Sequence, residues 1–534
     1  MSGPNQNGQK GPNQSKSAGP QNTTNGQPPQ SAAGGNSQNT AGPGGPKPKP
    51  LGSGSSPTMR LVYLVLAFAA AGLFALFPLP EATRTVGEAT LSPAGQTAMG
   101  ILLFALILWM TEAVPFHITG LLSIFMLSLL QVGSFKDIVS IGFGNHIIVF
   151  FIGVLTLSSF ITHSGLGNRI SVYLLSKTGN RTSIIILGFL VVGALLSMWI
   201  TNTAVAAMLM PLGVSILKEE GVIPLKSNFG KALMIAAAWG PIIGGITAPS
   251  GAGPNPLAIG FLKEMAGVDL SFAGWMMYGV PAGFLLLLPT WGIILLFFKP
   301  EMTHLKKTKD ELRAEYSELP RMGREEKVTL VIFLLTVFLW LTTPLFENWL
   351  GIAIPISMPV IFTASLFFFP KVSTIKWSEV EKEISWSSIL LIVSGISIGM
   401  MLYQTGAAEW LAVVFLGGIG GIHPFMQVFL VVLIISFLKI GFSSNTVTAT
   451  IIIPIMITLA QSLGIDALSI SMPAALTTSM AFILVTSTPT NVIPYSAGYF
   501  SIKDMAVAGV FMTIIASIIV SGSIFVIGSF TGLY

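Results

Sequence analysis

From residue 60 onward the chain alternates long apolar runs with short polar connections. A bilayer core is crossed by a helix of about 20 apolar residues. By that measure the pattern predicts eleven spans: 61–79, 97–115, 117–133, 146–163, 231–264, 275–298, 328–349, 353–369, 387–403, 470–500 and 505–531. The spans 231–264 and 470–500 are broken by glycine and proline. Two further apolar stretches, 184–217 and 424–460, are each interrupted by a polar trio, Thr201-Asn202-Thr203 in one and Ser444-Asn445-Thr446 in the other. They read as re-entrant hairpins that enter and leave on one side, or alternatively as pairs of short spans. The fold class predicted is an all-α polytopic membrane protein, with about eleven transmembrane helices plus the two hairpins.

The two trios belong to a longer repeat. Pro211 and Pro454 each fall nine residues after the trio asparagine. His163-Ser164-Gly165-Leu166 ends one span, and Gln404-Thr405-Gly406-Ala407 ends its counterpart. Further on come Gly253-Pro254-Asn255-Pro256 and Thr488-Pro489-Thr490-Asn491. The order in both halves is span, hairpin, broken span, span. Irregular backbone at membrane depth is tolerated only where protein or a water-filled cavity surrounds it. Paired breaks in corresponding places of two halves point to a transporter's central site.

Composition sharpens this picture. Of 534 residues, 52% are hydrophobic and 9% charged, against about 25% charged in soluble domains. There is no cysteine, so disulfide, thiolate and cysteine-metal chemistry are excluded. The net charge of +5 is assigned to loops beside apolar spans, not to nucleic acid. Residues 1–58 are rich in Asn, Gln, Gly, Ser and Pro and are expected to be a disordered tail, too long to be read as a cleavable signal. With the N-terminus in the cytoplasm, the basic groups of 169–181, 218–231, 306–327, 371–382 and Lys503 fall inside, and the C-terminus falls outside. The halves are then inverted in the membrane. Residues 299–327 are expected to form a cytoplasmic amphipathic linker.

At each break one helix ends and another begins. A helix start leaves backbone N–H groups unpaired and carries about half a positive charge. Asn, Ser and Thr cap such starts. Facing starts cradle an anion, and carbonyls and hydroxyls freed by the breaks are hard ligands suited to Na⁺. Neither Asp nor Glu occurs in 182–217, 232–263, 424–460 or 470–500. A cation carrier or proton antiporter is expected to place a carboxylate there. A single trio would be read as a structural cap; two matched trios with two matched breaks point to an anion site.

These residues resemble a known family. The two trios are similar to the twin Ser-Asn-Thr signature of the divalent anion:sodium symporter family. Trp109-Met110-Thr111-Glu112-Ala113-Val114-Pro115 resembles its early Trp-x-Thr-Glu-Ala-x-Pro segment. Gly244-Gly245 through Asn255 resembles its first broken-helix loop, and Thr488 through Phe500 its second. The resemblance covers about residues 60–531. It implies a homodimer whose hairpin-bearing repeats, 146–298 and 387–531, move as an elevator against scaffold helices 59–145 and 328–386. It implies a substrate held by Thr201, Asn202, Thr203, Ser444, Asn445, Thr446, Pro489 and Thr490. A first Na⁺ would take Ser197, Thr201, Asn202 and Gly251, and a second Ser444, Asn445, Ser487 and Pro489.

The chain departs from the family pattern in three places. Thr201 replaces a serine but keeps its hydroxyl. Ala252-Gly253-Pro254-Asn255 replaces Thr-Pro-Pro-Asn. Ile440 stands where the family commonly has a threonine ligand of the second Na⁺, and Lys439 precedes it. Lys439 either supplies positive charge near that site or extends its ammonium to a membrane interface. Glu112 is expected in a scaffold or interfacial position. His117, His146, His163, His304 and His423 show no metal-ligand spacing.

The function expected is secondary transport of a small dicarboxylate, a C4-dicarboxylate or 2-oxoglutarate, coupled to Na⁺ or run as exchange. Sulfate or citrate transport in the same family is the alternative, followed by a sodium/proton antiporter or oxyanion-efflux carrier. A channel would need a continuous pore, and no acid/base pair or nucleophile in the spans suggests an enzyme.

Overall fold

The computed structural model describes residues 56–87, 89–306 and 319–534. The expected disordered tail lies almost wholly outside the described residues, as does the middle of the 299–327 linker.

Every predicted span contains a helix. Among the described residues, nine helices are long and apolar enough to cross a membrane. Serine hydroxyls cap many of the helix starts, as at Pro93–Thr111 (Ser92), Asn228–Gly245 (Ser227) and Phe272–Phe297 (Ser271). Two hairpins form where the trios predict them. The first is Thr182–Ser197 followed by Asn202–Glu219. The second is Pro424–Leu438, a 3₁₀ turn at Lys439–Gly441, then Asn445–Ser462. Pro211 and Pro454 lie inside the returning arms, where each removes one helical hydrogen bond.

The broken spans are Asn228–Gly245 with Pro254–Ala266, and Ala467–Thr478 with Pro489–Ser496. Small residues hold the first of them against its hairpin. A Cβ on Gly240 would come 2.8 Å from the Leu190 carbonyl, and one on Gly244 would come 2.1 Å from that of Ala194. Two glycines four apart thus let two backbones touch, as small residues do where membrane helices pack. This contact brings the 246–253 loop to the tip of the first hairpin.

Several short elements escape the pattern. Phe135–Phe143 is too short to span and runs directly before His146–His163. Leu166–Leu175 and Ala407–Leu416 are matched helices, each entered from a left-handed glycine, Gly165 (φ 80°) and Gly406 (φ 77°). They extend the repeat seen in the sequence, and only glycine adopts such a φ without steric cost. A two-stranded hairpin pairs Thr85–Val86 with Ala89–Thr90.

Candidate anion site

Four helices that begin at the hairpin and broken-span gaps start at one cavity. Its volume is about 550 Å³, within the range of about 300–1,000 Å³ usual for small-molecule sites. The capping residue and first residue of each helix line it: Thr201 and Asn202, Gly253 and Pro254, Ser444 and Asn445, Thr488 and Pro489. Two starts come from hairpins and two from broken spans. Ser444 accepts from the Val447 N–H at 3.4 Å, and Thr488 from that of Thr490 at 3.4 Å. Thr201 makes no such cap, so its hydroxyl is left for other partners.

The repeats touch at this point. A Cβ on Gly253 would come 2.7 Å from Thr446 Oγ1, so the first loop lies directly against the second trio. Glycine is what permits that approach.

Beneath the first trio is a cluster of oxygens. One end of the Asn202 amide lies 2.6 Å from Ser197 Oγ, 2.8 Å from the Gly251 carbonyl oxygen and 3.2 Å from the Pro241 carbonyl oxygen. With nitrogen at that end the amide donates to all three; with oxygen there, four oxygens converge. A Cβ on Gly245 would come 2.1 Å from Asn202 Oδ1, and the Ser250 hydroxyl donates to the Met198 carbonyl at 2.7 Å. The Gly245 backbone therefore lies directly against the cluster.

The second trio is arranged differently. Asn445 Nδ2 donates to the Ser479 carbonyl at 3.4 Å, and its Oδ1 is buried without a partner among the described residues. Ile440 is 41% exposed, so it does not turn toward the site. Lys439 is only 2% exposed, and its ammonium likewise lacks a partner among the described residues. The reading in which Lys439 reaches a membrane interface is therefore corrected: the 3₁₀ turn points it inward.

Of the residues expected to bind substrate, all eight line the cavity: Thr201, Asn202, Thr203, Ser444, Asn445, Thr446, Pro489 and Thr490. Gly251 lines it too. Ser197 and Ser487 are buried outside the lining, Ser197 through its bond to Asn202. Sequence reasoning missed the facing wall, formed by Phe116, His117, Glu383, Ser385, Ser387 and Ser388. Its serines sit at the start of Trp386–Gln404. Glu383 accepts from Ser159 Oγ at 2.9 Å and lies 3.3 Å from His163 Nδ1. No lysine or arginine lines the cavity among the described residues.

Comparison with known proteins agrees with this architecture. The family described as "Sodium:sulfate symporter transmembrane region" matches residues 58–530. The chain is 32% identical over 447 residues to the sodium-dependent dicarboxylate transporter SdcS of Staphylococcus saprophyticus, covering 80% of this chain and 85% of that one. It is 31% identical over 443 residues to SdcS of Staphylococcus aureus USA300, covering 80% and 84%. In fold it is similar to the Alcanivorax borkumensis YdaH transporter, with TM-score 0.51, 12% identity and coverage of 89% of this chain and 98% of that chain. It is also similar in fold to Neisseria gonorrhoeae MtrF, with TM-score 0.50, 15% identity and coverage of 88% and 94%. With its match across nearly all the membrane-embedded chain, this multi-pass protein belongs to the divalent anion:sodium symporter family and is a transporter, not an enzyme.

Proposed function

We propose that this chain carries a small dicarboxylate, a C4-dicarboxylate or 2-oxoglutarate, across the membrane together with Na⁺. The observation that carries this reading is the meeting of four helix starts, at the hairpin and broken-span gaps, in one cavity that no lysine or arginine lines among the described residues. Each start carries about half a positive elementary charge, so several together favour an anion, and a doubly charged one most. Asn202, Asn445, Thr203, Thr446 and Thr490 add neutral donors whose geometry suits carboxylate oxygens. The SdcS relatives carry dicarboxylates by name, which favours this substrate over sulfate or citrate.

The oxygens around Asn202 fit a first Na⁺ held by Ser197, Thr201, Asn202 and Gly251. Hydroxyl, amide and carbonyl oxygens are the hard ligands such an ion takes. Its charge would offset part of the substrate's, which couples the two binding events. The residues proposed for a second Na⁺, Ser444, Asn445, Ser487 and Pro489, fit less well, because Ile440 faces away and Lys439 brings an ammonium.

In this reading the two repeats move as one elevator unit against residues 59–145 and 328–386. Two chains form a dimer, and the N-terminus is cytoplasmic. The deciding experiment is uptake of labelled succinate by proteoliposomes in sodium or choline, with sulfate, citrate and 2-oxoglutarate as competitors. Sodium-dependent accumulation, lost in the Asn202→Leu/Asn445→Leu double variant, is expected. Undiminished accumulation in a folded double variant would refute the site.

A further inference from the structure

The two hairpins differ at one position. Ser197 and Ile440 each stand five residues before the trio asparagine. Ser197 is fully buried with its hydroxyl on the Asn202 amide, whereas Ile440 is 41% exposed. The backbone explains the difference. The first arm stays α-helical through Ser197, while the second tightens into a 3₁₀ turn at Lys439–Gly441. A 3₁₀ turn advances about 120° per residue against about 100° for an α-helix, which changes the residue that faces inward. In the second hairpin that residue is Lys439.

Lys439 caps the C-terminal end of Pro424–Leu438. Helix C-termini present free carbonyls and partial negative charge, and so favour a cation. The same ends hold Na⁺ in transporters with broken helices. Acceptors on the same turn and against the second trio are also unsatisfied. Ser436 Oγ one turn earlier, Asn445 Oδ1 beyond the turn and Ser479 Oγ, whose carbonyl receives the Asn445 amide, are all buried without partners among the described residues. No ion pair involving Lys439 occurs among the described residues. A buried ammonium left without a counter-charge is costly to keep, so an anion in the adjoining cavity would be its partner.

We propose that the Lys439 ammonium is a built-in cation that takes the place of a second co-transported Na⁺. The chain then binds one Na⁺ per cycle and keeps the other positive charge. A dianion crossing with one Na⁺ carries net negative charge, so a membrane potential negative inside opposes uptake and favours exchange.

This inference rests on the reading of the chain as a Na⁺-coupled anion carrier, but equilibrium binding of radioactive ²²Na⁺ to the purified full chain tests it without transport. About one Na⁺ per chain is expected in the parent and in Lys439→Arg, and about two in Lys439→Thr, which puts a hydroxyl at the inward position. Two Na⁺ per parent chain would overturn the proposal, even if the variant does not fold. A monodisperse Lys439→Thr protein that still binds one would overturn it as well. If ²²Na⁺ binds as expected but succinate is not carried, the substrate assignment fails and the Lys439 inference stands.

Discussion

Asn255 and Asn491 make the same two bonds in opposite repeats. Asn255 Nδ2 donates to the carbonyls of Gly245 and Ala248, both at 2.7 Å. Asn491 Nδ2 donates to those of Ala481 and Leu484, at 2.7 and 3.1 Å. In each case the acceptors stand ten and seven residues earlier, and both asparagines are fully buried. Each amide ties a broken span across its own gap and so sets the direction of one helix start.

Removing either tie leaves one buried carbonyl, that of Gly245 or Ala481, without a donor among the described residues, because the Gly251 N–H still donates to Ala248 and the Ser487 N–H to Leu484. Asn255→Ala and Asn491→Ala are each expected to lower stability by about 1–3 kcal/mol for the carbonyl stranded. Thermal unfolding in detergent reads this. Asn→Asp at either position is expected to be at least as damaging, because it sets an oxygen against two oxygens. A melting curve unchanged in both alanine variants would show that the ties do not hold the loops.

Gly245 is expected to tolerate no side chain. Its Cβ would come 2.1 Å from Asn202 Oδ1, so Gly245→Ala displaces the amide from the oxygen cluster. Uptake should fall at least about tenfold, equivalent to about 1.4 kcal/mol of lost binding. Gly292→Ala is the control, because no atom lies within 4 Å of its added carbon. It should transport normally and melt slightly higher, since alanine suits a helix better than glycine.

Glu301 predicts an acid limit to stability outside the membrane. It accepts from the Ser227 hydroxyl and from the Phe229 N–H at 3.0 Å, at the start of Asn228–Gly245. Burial works against its charge, but the donations from Ser227, Phe229 and Asn228 outweigh burial and hold the carboxyl below its ordinary 4.5. A lowered native value stabilises the fold above the unfolded value and loses that effect as pH falls through the native one. Parent and Glu301→Gln should therefore differ in melting temperature at neutral pH and converge below pH 4.5. A constant gap across that range would contradict the assignment.

Glu383 places a negative charge on the wall of an anion cavity. Glu383→Gln should lower the substrate KM by about two- to fivefold at low ionic strength. The effect should fade near 1 M salt, where the screening length is about 3 Å. Initial uptake rates at two salt concentrations decide this, and an equal effect at both would point to a contact instead of a field.

Much of the fold is legible in the sequence because lipid imposes length. Runs such as 146–163 and 505–531 have few competing explanations. The trios are legible because an asparagine inside an apolar run needs a reason. Phe135–Phe143 is not, because nine residues too short to span leave no length signal. The wall of His117, Glu383 and Ser385 is not, because only the folded chain brings those residues opposite Asn202. Lys439 and Ile440 show the limit most directly. Both stand out in the sequence, but which one faces inward depends on one tightened turn.

A grip made of main-chain ends has no proton to gain or lose. The attraction offered by the four helix starts stays constant across the pH range in which the fold survives. An acid response of transport then has its source outside that grip, first of all in the ligand's own ionisation.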